Sequence, residues 1–206
     1  MPYKKTDKVI DFLTGKYIKI FQKLKLISNF DELNVIQLTH DVYDEAEKIT
    51  QQEMLRLAEI VYKQTREQAE PEMETSFGIE WLLAVLGEYN PVTRYIYLNE
   101  VERKRAKLAE AIIATSSDKL KVKEEVNRAL RMWAGMNKQL ADDITLAAMI
   151  QAITDDGYEY VEWITYKDDK RCGICKKMDG QIFRIDSIPP RPHNHCRCYV
   201  RGVIND

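Results

Sequence analysis

No stretch of this sequence is apolar for long enough to cross a bilayer. A spanning helix needs about 20 apolar residues, whereas the longest run without a charge extends only from Ile144 to Thr154 and contains Thr145 and Gln151. Glycine and proline are scarce, 8 and 6 among 206 residues, and the 31 basic and 33 acidic residues alternate in sign instead of forming blocks, which excludes a collagenous or disordered chain. The first 171 residues contain no cysteine, so no disulfide framework is spread along the chain. Lys4, Lys5 and Lys8 begin like a signal peptide, but Asp11, Lys16 and Lys19 interrupt its apolar core, so a cytoplasmic protein is expected. At 45% hydrophobic residues the chain has ample material for one long domain or two short ones.

What is present is mostly helical periodicity. Ile10, Leu13, Tyr17, Phe21 and Leu24 share one face of a helix over about 5–26. Asp31 is suited to cap a second helix, expected to run until Pro71 ends it. Trp81 to Leu86 is a short apolar segment that Gly87 should close, and Asn90-Pro91 is a cap and first-turn pair opening a helix to about Ala114. Ser116 and Ser117 restart the chain for a helix to about Trp133; after Gly135 another is expected from Asn137 to Thr154, stopped by Asp155-Asp156-Gly157. The charges from Glu100 to Lys107 read as a solvated face with i,i+4 pairs, and Tyr95, Tyr97 and Trp133 as packing residues. His40 lies among polar residues, with nothing to mark it as a ligand or base.

The period changes at Gly157. Tyr158 to Tyr166 is a β-rich alternating run, and shorter strands are expected at Gln181–Arg184 and Cys198–Val203, separated by the Asp179-Gly180 turn and the Pro189-Pro190-Arg191-Pro192 segment. Charge changes as well: residues 167–206 carry nine basic and five acidic groups, a net of +4, against −6 for the first 166. The expected fold is mainly α, an α+β arrangement with a multi-helix body over 1–155 and a small β-rich module over 156–206.

All four cysteines fall in that module. Cys172 and Cys175 have the two-residue spacing that lets both thiolates reach one ion about 2.3 Å away, with Gly173 between them to permit a tight turn. After seventeen intervening residues comes His193-Asn194-His195-Cys196-Arg197-Cys198. Two ligand pairs closing a loop of this length describe a structural zinc site. A thioredoxin-type CxxC should open a helix in a βαβ setting, and no such helix is evident from the sequence. An HNH nuclease spreads its named residues over a ββα unit, so the three adjacent letters here do not indicate one. No nucleophile-base pair, phosphate-binding glycine loop or carboxylate constellation marks an enzyme or a small-molecule substrate.

The segment from Trp163 to Val200 resembles the C-terminal signature of the phage Mu F-like head morphogenesis family, the minor head proteins of tailed bacteriophages. The resemblance rests on Trp163, on Asp168 or Asp169 before Cys172 and Cys175, on Met178-Asp179-Gly180, on Pro189-Pro190, and on His193, Cys196, Arg197 and Cys198. A looser likeness reaches back to about Leu108. It implies Cys172, Cys175, His193 and Cys196 as metal ligands, with Cys198 competing for the last place and His195 able to replace His193. Many members carry Arg-Thr-Glu where this chain has Leu146 to Gln151, so no role of that segment is carried over. Relatives with an enzymatic toxin domain have it beyond the signature, where this chain has eight residues after Cys198.

The implied function is that of a non-catalytic minor capsid protein. It would act near the portal during head assembly, in the host cytoplasm and then in the procapsid or virion interior. Its partners would be portal or capsid proteins, and non-specific DNA contact is left open. The alternative is a zinc-ribbon nucleic-acid binder using Arg191, Arg197 and Arg201 on phosphates.

Overall fold

The computed structural model describes residues 3–66, 77–167, 171–193 and 196–204. The described residues form six helices and one three-stranded antiparallel sheet at the C-terminal end, the mainly α fold with a small β-rich module that the residue pattern predicts. The helices are α1 (Tyr3–Lys25), α2 (Glu32–Thr65), α3 (Ile79–Tyr89), α4 (Pro91–Ala114), α5 (Lys119–Asp155) and α6 (Gly173–Met178). The strands are β1 (Tyr160–Ile164), β2 (Ile182–Arg184) and β3 (Tyr199–Val203). None of the described helices is long and apolar enough to cross a membrane.

By proximity the chain divides into two compact units, as far as their residues are described. One comprises Asp7–Glu53 and Tyr95–Leu140; the other comprises Met1–Thr6, Met54–Arg94 and Ala141–Asp206.

The first unit is all helix. The α1 stripe of Leu13, Tyr17, Phe21 and Leu24 is buried, as are Val42 and Tyr43 of α2, Leu108 and Ile112 of α4, and Val126 and Trp133 of α5. Trp133 meets the ring of Tyr43 edge-on at 5.3 Å and that of Tyr17 at 6.2 Å, geometry that suits the aromatic quadrupole. The Tyr17 hydroxyl finds Thr50 Oγ1 at 2.6 Å. Of the three aromatics assigned to packing, Tyr97 and Trp133 are buried, while Tyr95 projects into solvent at 67% exposure. His40 engages the Arg105 guanidinium through Nε2 and Asp44 through Nδ1 at 3.1 Å.

The second unit carries the sheet. Its order is β2-β1-β3, with Val161 opposite Phe183 and Trp163 opposite Val200. Alternation along β1 buries Val161 and Trp163 on one face. Gly157 ends α5 with a φ of 83°, a left-handed position that glycine adopts without a Cβ clash.

Several boundaries differ from the sequence reading, for local reasons. Asp31 does cap α2, its carboxylate accepting the Asn34 N–H at 3.2 Å; Pro71 lies outside the described residues. Gly87 does not close α3, which continues to Tyr89. The stop comes at Asn90, which Pro91 pushes out of helical backbone, and the Asn90 side chain then caps α4 by accepting the Thr93 N–H at 3.1 Å. Asp118, not Ser116 or Ser117, caps the next helix, receiving the Leu120 N–H at 2.9 Å. Finally, α5 is a single helix of 37 residues passing through Gly135. A mid-helix glycine costs only about 1 kcal/mol, less than the burial of the apolar residues on both sides contributes.

Candidate metal centre

The first half of the centre is built by a helix start. Cys172 is the N-cap of α6: its backbone is extended, and its sulfur accepts the Cys175 N–H at 3.3 Å. This is a cysteine in the capping role usually filled by Ser, Thr, Asp or Asn. Gly173 is simply the first helical residue and has no positive φ; the left-handed glycines among the described residues are Gly157 and Gly180. The helix that the CxxC opens corrects the expectation that there is none, but the strands before and after it are antiparallel, not the parallel pair of a βαβ unit.

The Met178-Asp179-Gly180 turn ties this first half to the end of β1. Asp179 accepts the Thr165 N–H at 2.9 Å and pairs with Arg171 at 3.2 Å. These contacts, the backbone N–H first, keep its carboxyl below the usual range. Gly180, at φ 80°, donates its N–H to the Trp163 carbonyl at 2.8 Å, which fastens the end of the turn to β1.

These elements gather all four cysteines and His193. Cys172, Cys175 and His193 form one triad, and Cys175, Cys196 and Cys198 another, each with its donor atoms within 4.8 Å of one another. The shared sulfur of Cys175 lies 3.3 Å from His193 Nε2 and 3.7 Å from Cys196 Sγ. Cys175, Cys196 and Cys198 are buried, Cys172 is half-buried and His193 is exposed. His195, Asp168 and Asp169 lie outside the described residues.

The donor set fits a metal ion. Bonds of 2.3 Å in a tetrahedral shell imply sulfurs about 3.8 Å apart, close to the separation of Cys175 and Cys196. Charge points the same way. Hydrogen bonding from Cys198 pulls the Cys196 thiol down to about 5, whereas burial pushes Cys175 up to about 12, and the bond to Cys196 raises Cys198. Three touching thiols can thus hold little negative charge by themselves, and a cation is what would let all of them ionise. Hydrogen bonding from the buried Trp163 side chain also favours the Cys198 thiolate. A metal-bound sulfur is an acceptor suited to such a donor.

Sequence reasoning missed the residue that anchors the second half. Arg191, in the Pro-rich approach, donates to the Cys196 carbonyl and the Asp142 carbonyl, and lies 3.5 Å from the Asp143 carboxylate. Asp143 also accepts from Thr93 Oγ1 at 2.7 Å. The structure gives the reason: Leu140 to Met149 is buried without interruption, and two acids in such a stretch need a cationic partner. The arginines considered for phosphate contact are engaged elsewhere. Arg191 is buried, the Arg197 guanidinium sits 5.1 Å from the Tyr166 ring, and Arg201 pairs with Glu162.

No curated protein and no solved structure matches the chain. The family model described as Phage Mu protein F like protein matches residues 100–201, which include α5, β1, β2, the start of β3 and every described candidate ligand. That match places residues 100–201 in the phage Mu F-like head morphogenesis family.

Proposed function

We propose that this chain is a minor head protein acting without catalysis during phage head assembly, near the portal, and that its C-terminal module is stapled by one structural zinc ion. The family match supports a role among other phage head proteins. The observation that carries the metal reading is the convergence of four cysteines and His193 from two separate stretches of the module. Four of Cys172, Cys175, His193, Cys196 and Cys198 would hold the ion, with His195 a substitute for His193.

The ion would supply charge neutralisation and a fixed crosslink, as structural zinc does in small domains with little core of their own. The chain's own groups do the rest. The α6 N-cap presents Cys172, Arg191 fixes the carbonyl of Cys196, and Asp179 ties the turn to β1. Residues 156–206 then act as one rigid surface for docking on a portal or capsid protein. The protein would act in the host cytoplasm during assembly and remain in the procapsid or virion interior.

The test is co-purification with the portal protein of the same phage, comparing the wild-type chain with Cys175→Ser. Capture that depends on bound metal supports the reading. Equal capture by both would move docking to the helices, and a steep salt dependence of duplex DNA binding in place of portal capture would favour the nucleic-acid alternative.

A further inference from the structure

The all-helical unit has a groove unrelated to the metal centre. It runs between α4 and α5, encloses about 340 Å³, and has Tyr43 of α2 at its base. Its walls follow helical spacing, with Lys104, Leu108 and Ala111 on one side and Glu125, Ala129 and Met132 on the other. Two features keep it open. Ala111 and Ala129 are too small to fill the space between the helices, and Met132 stands at the rim with 56% of its surface exposed.

The rim is cationic. Arg103, Lys104, Lys107 and Arg128 line the groove, against Glu125 in the lining and Glu100 beside it. Lys104 meets the half-buried Glu100 at 3.8 Å, and two further pairs hold exposed arginines at the surface, Arg103 with Glu100 at 2.6 Å and Arg128 with Glu125. Such surface pairs are worth about 0–1 kcal/mol each, so an incoming carboxylate can replace them at little cost.

We infer that this groove is a docking site for an acidic amphipathic helix of a partner protein. The apolar floor and the volume suit the few anchor side chains that one helix face presents at i, i+3, i+4 and i+7, and the basic rim matches carboxylates flanking that face. Duplex DNA would use the rim cations but leave the apolar floor uncovered, so it is the less complementary ligand.

The probe is a displayed library of random helix-forming 16-residue peptides, selected on the full-length metal-loaded chain. The expected consensus has Leu, Met or Phe at i, i+4 and i+7 with Asp or Glu on the flanks. Binding of the selected peptide should weaken at least tenfold in Ala129→Trp, which fills the groove, and several-fold in Lys107→Glu. Met132→Lys, on an exposed side chain, should also weaken it and serves if Ala129→Trp misfolds by circular dichroism. The inference is overturned if no peptide is enriched, if the enriched peptides lack acidic residues, or if the groove variants bind as well as the wild type. It is equally overturned if a 30-base-pair duplex binds through Lys107 while no peptide does.

Discussion

Arg191 and Asp143 face each other at 3.5 Å with both side chains almost fully enclosed, 3% and 1% exposed. The pair joins the loop that carries Cys196 to a buried turn of α5. Because Arg191 also holds the backbone carbonyl of Cys196, the second half of the candidate metal centre is positioned by a helix that contributes none of the clustered side chains.

Arg191→Met should destabilise the protein by about 3–5 kcal/mol, since it leaves a buried carboxylate without its cation. The double variant Arg191→Met/Asp143→Asn should recover a substantial part of that loss. Urea denaturation of the three proteins measures it; equal losses in the single and double variants would show that the charge pairing is not the source.

Metal content follows from the cluster. The purified chain should hold about one zinc ion, and Cys175→Ser should hold almost none, because that sulfur belongs to both triads. Elemental analysis is the check, supported by thermal melting before and after chelation, which should lower the Tm. Chelator-free protein with no metal and with its cysteines joined in disulfides would refute the assignment.

Asp179 gives a pH dependence with a defined sign. Its carboxyl is held below the ordinary range chiefly by the Thr165 N–H. Its stabilising contribution is therefore complete above the usual aspartate value near 4 and is lost as the pH falls through the lower folded value. Asp179→Asn should melt below the wild type at pH 7, and the gap should narrow as the pH drops under about 4. A gap that stays constant over that range would mean the carboxylate charge does not matter.

Gly135→Ala should stabilise the chain by about 0.5–1 kcal/mol, since glycine carries excess entropy in a helix. A Cβ at Gly135 meets nothing within 4 Å, so no clash offsets the gain. A rise in the denaturation midpoint with an unchanged slope is the expected result; a fall would indicate a bend at this position that α5 requires.

The sequence by itself determined the features that depend on neighbours along the chain. The α1 stripe from Leu13 to Leu24, the Asp31 and Asn90 caps, the Gly157 stop and the change to period two were all legible, because caps and periodicity act over a few residues. The clustering of Cys172, Cys175, His193, Cys196 and Cys198 was legible for the same reason: metal knuckles are short motifs. Gly87 and Gly135 misled because a local helix penalty is small and tertiary burial outweighs it. Only the tertiary structure decided that Cys175 is common to two triads, and that Arg191 is a buried anchor instead of a phosphate-binding side chain. Arg191 and Asp143 stand 48 positions apart. Whether an arginine meets solvent or a buried carboxylate at that separation is fixed by how the chain packs, because desolvation and Coulomb attraction act between groups brought together in space.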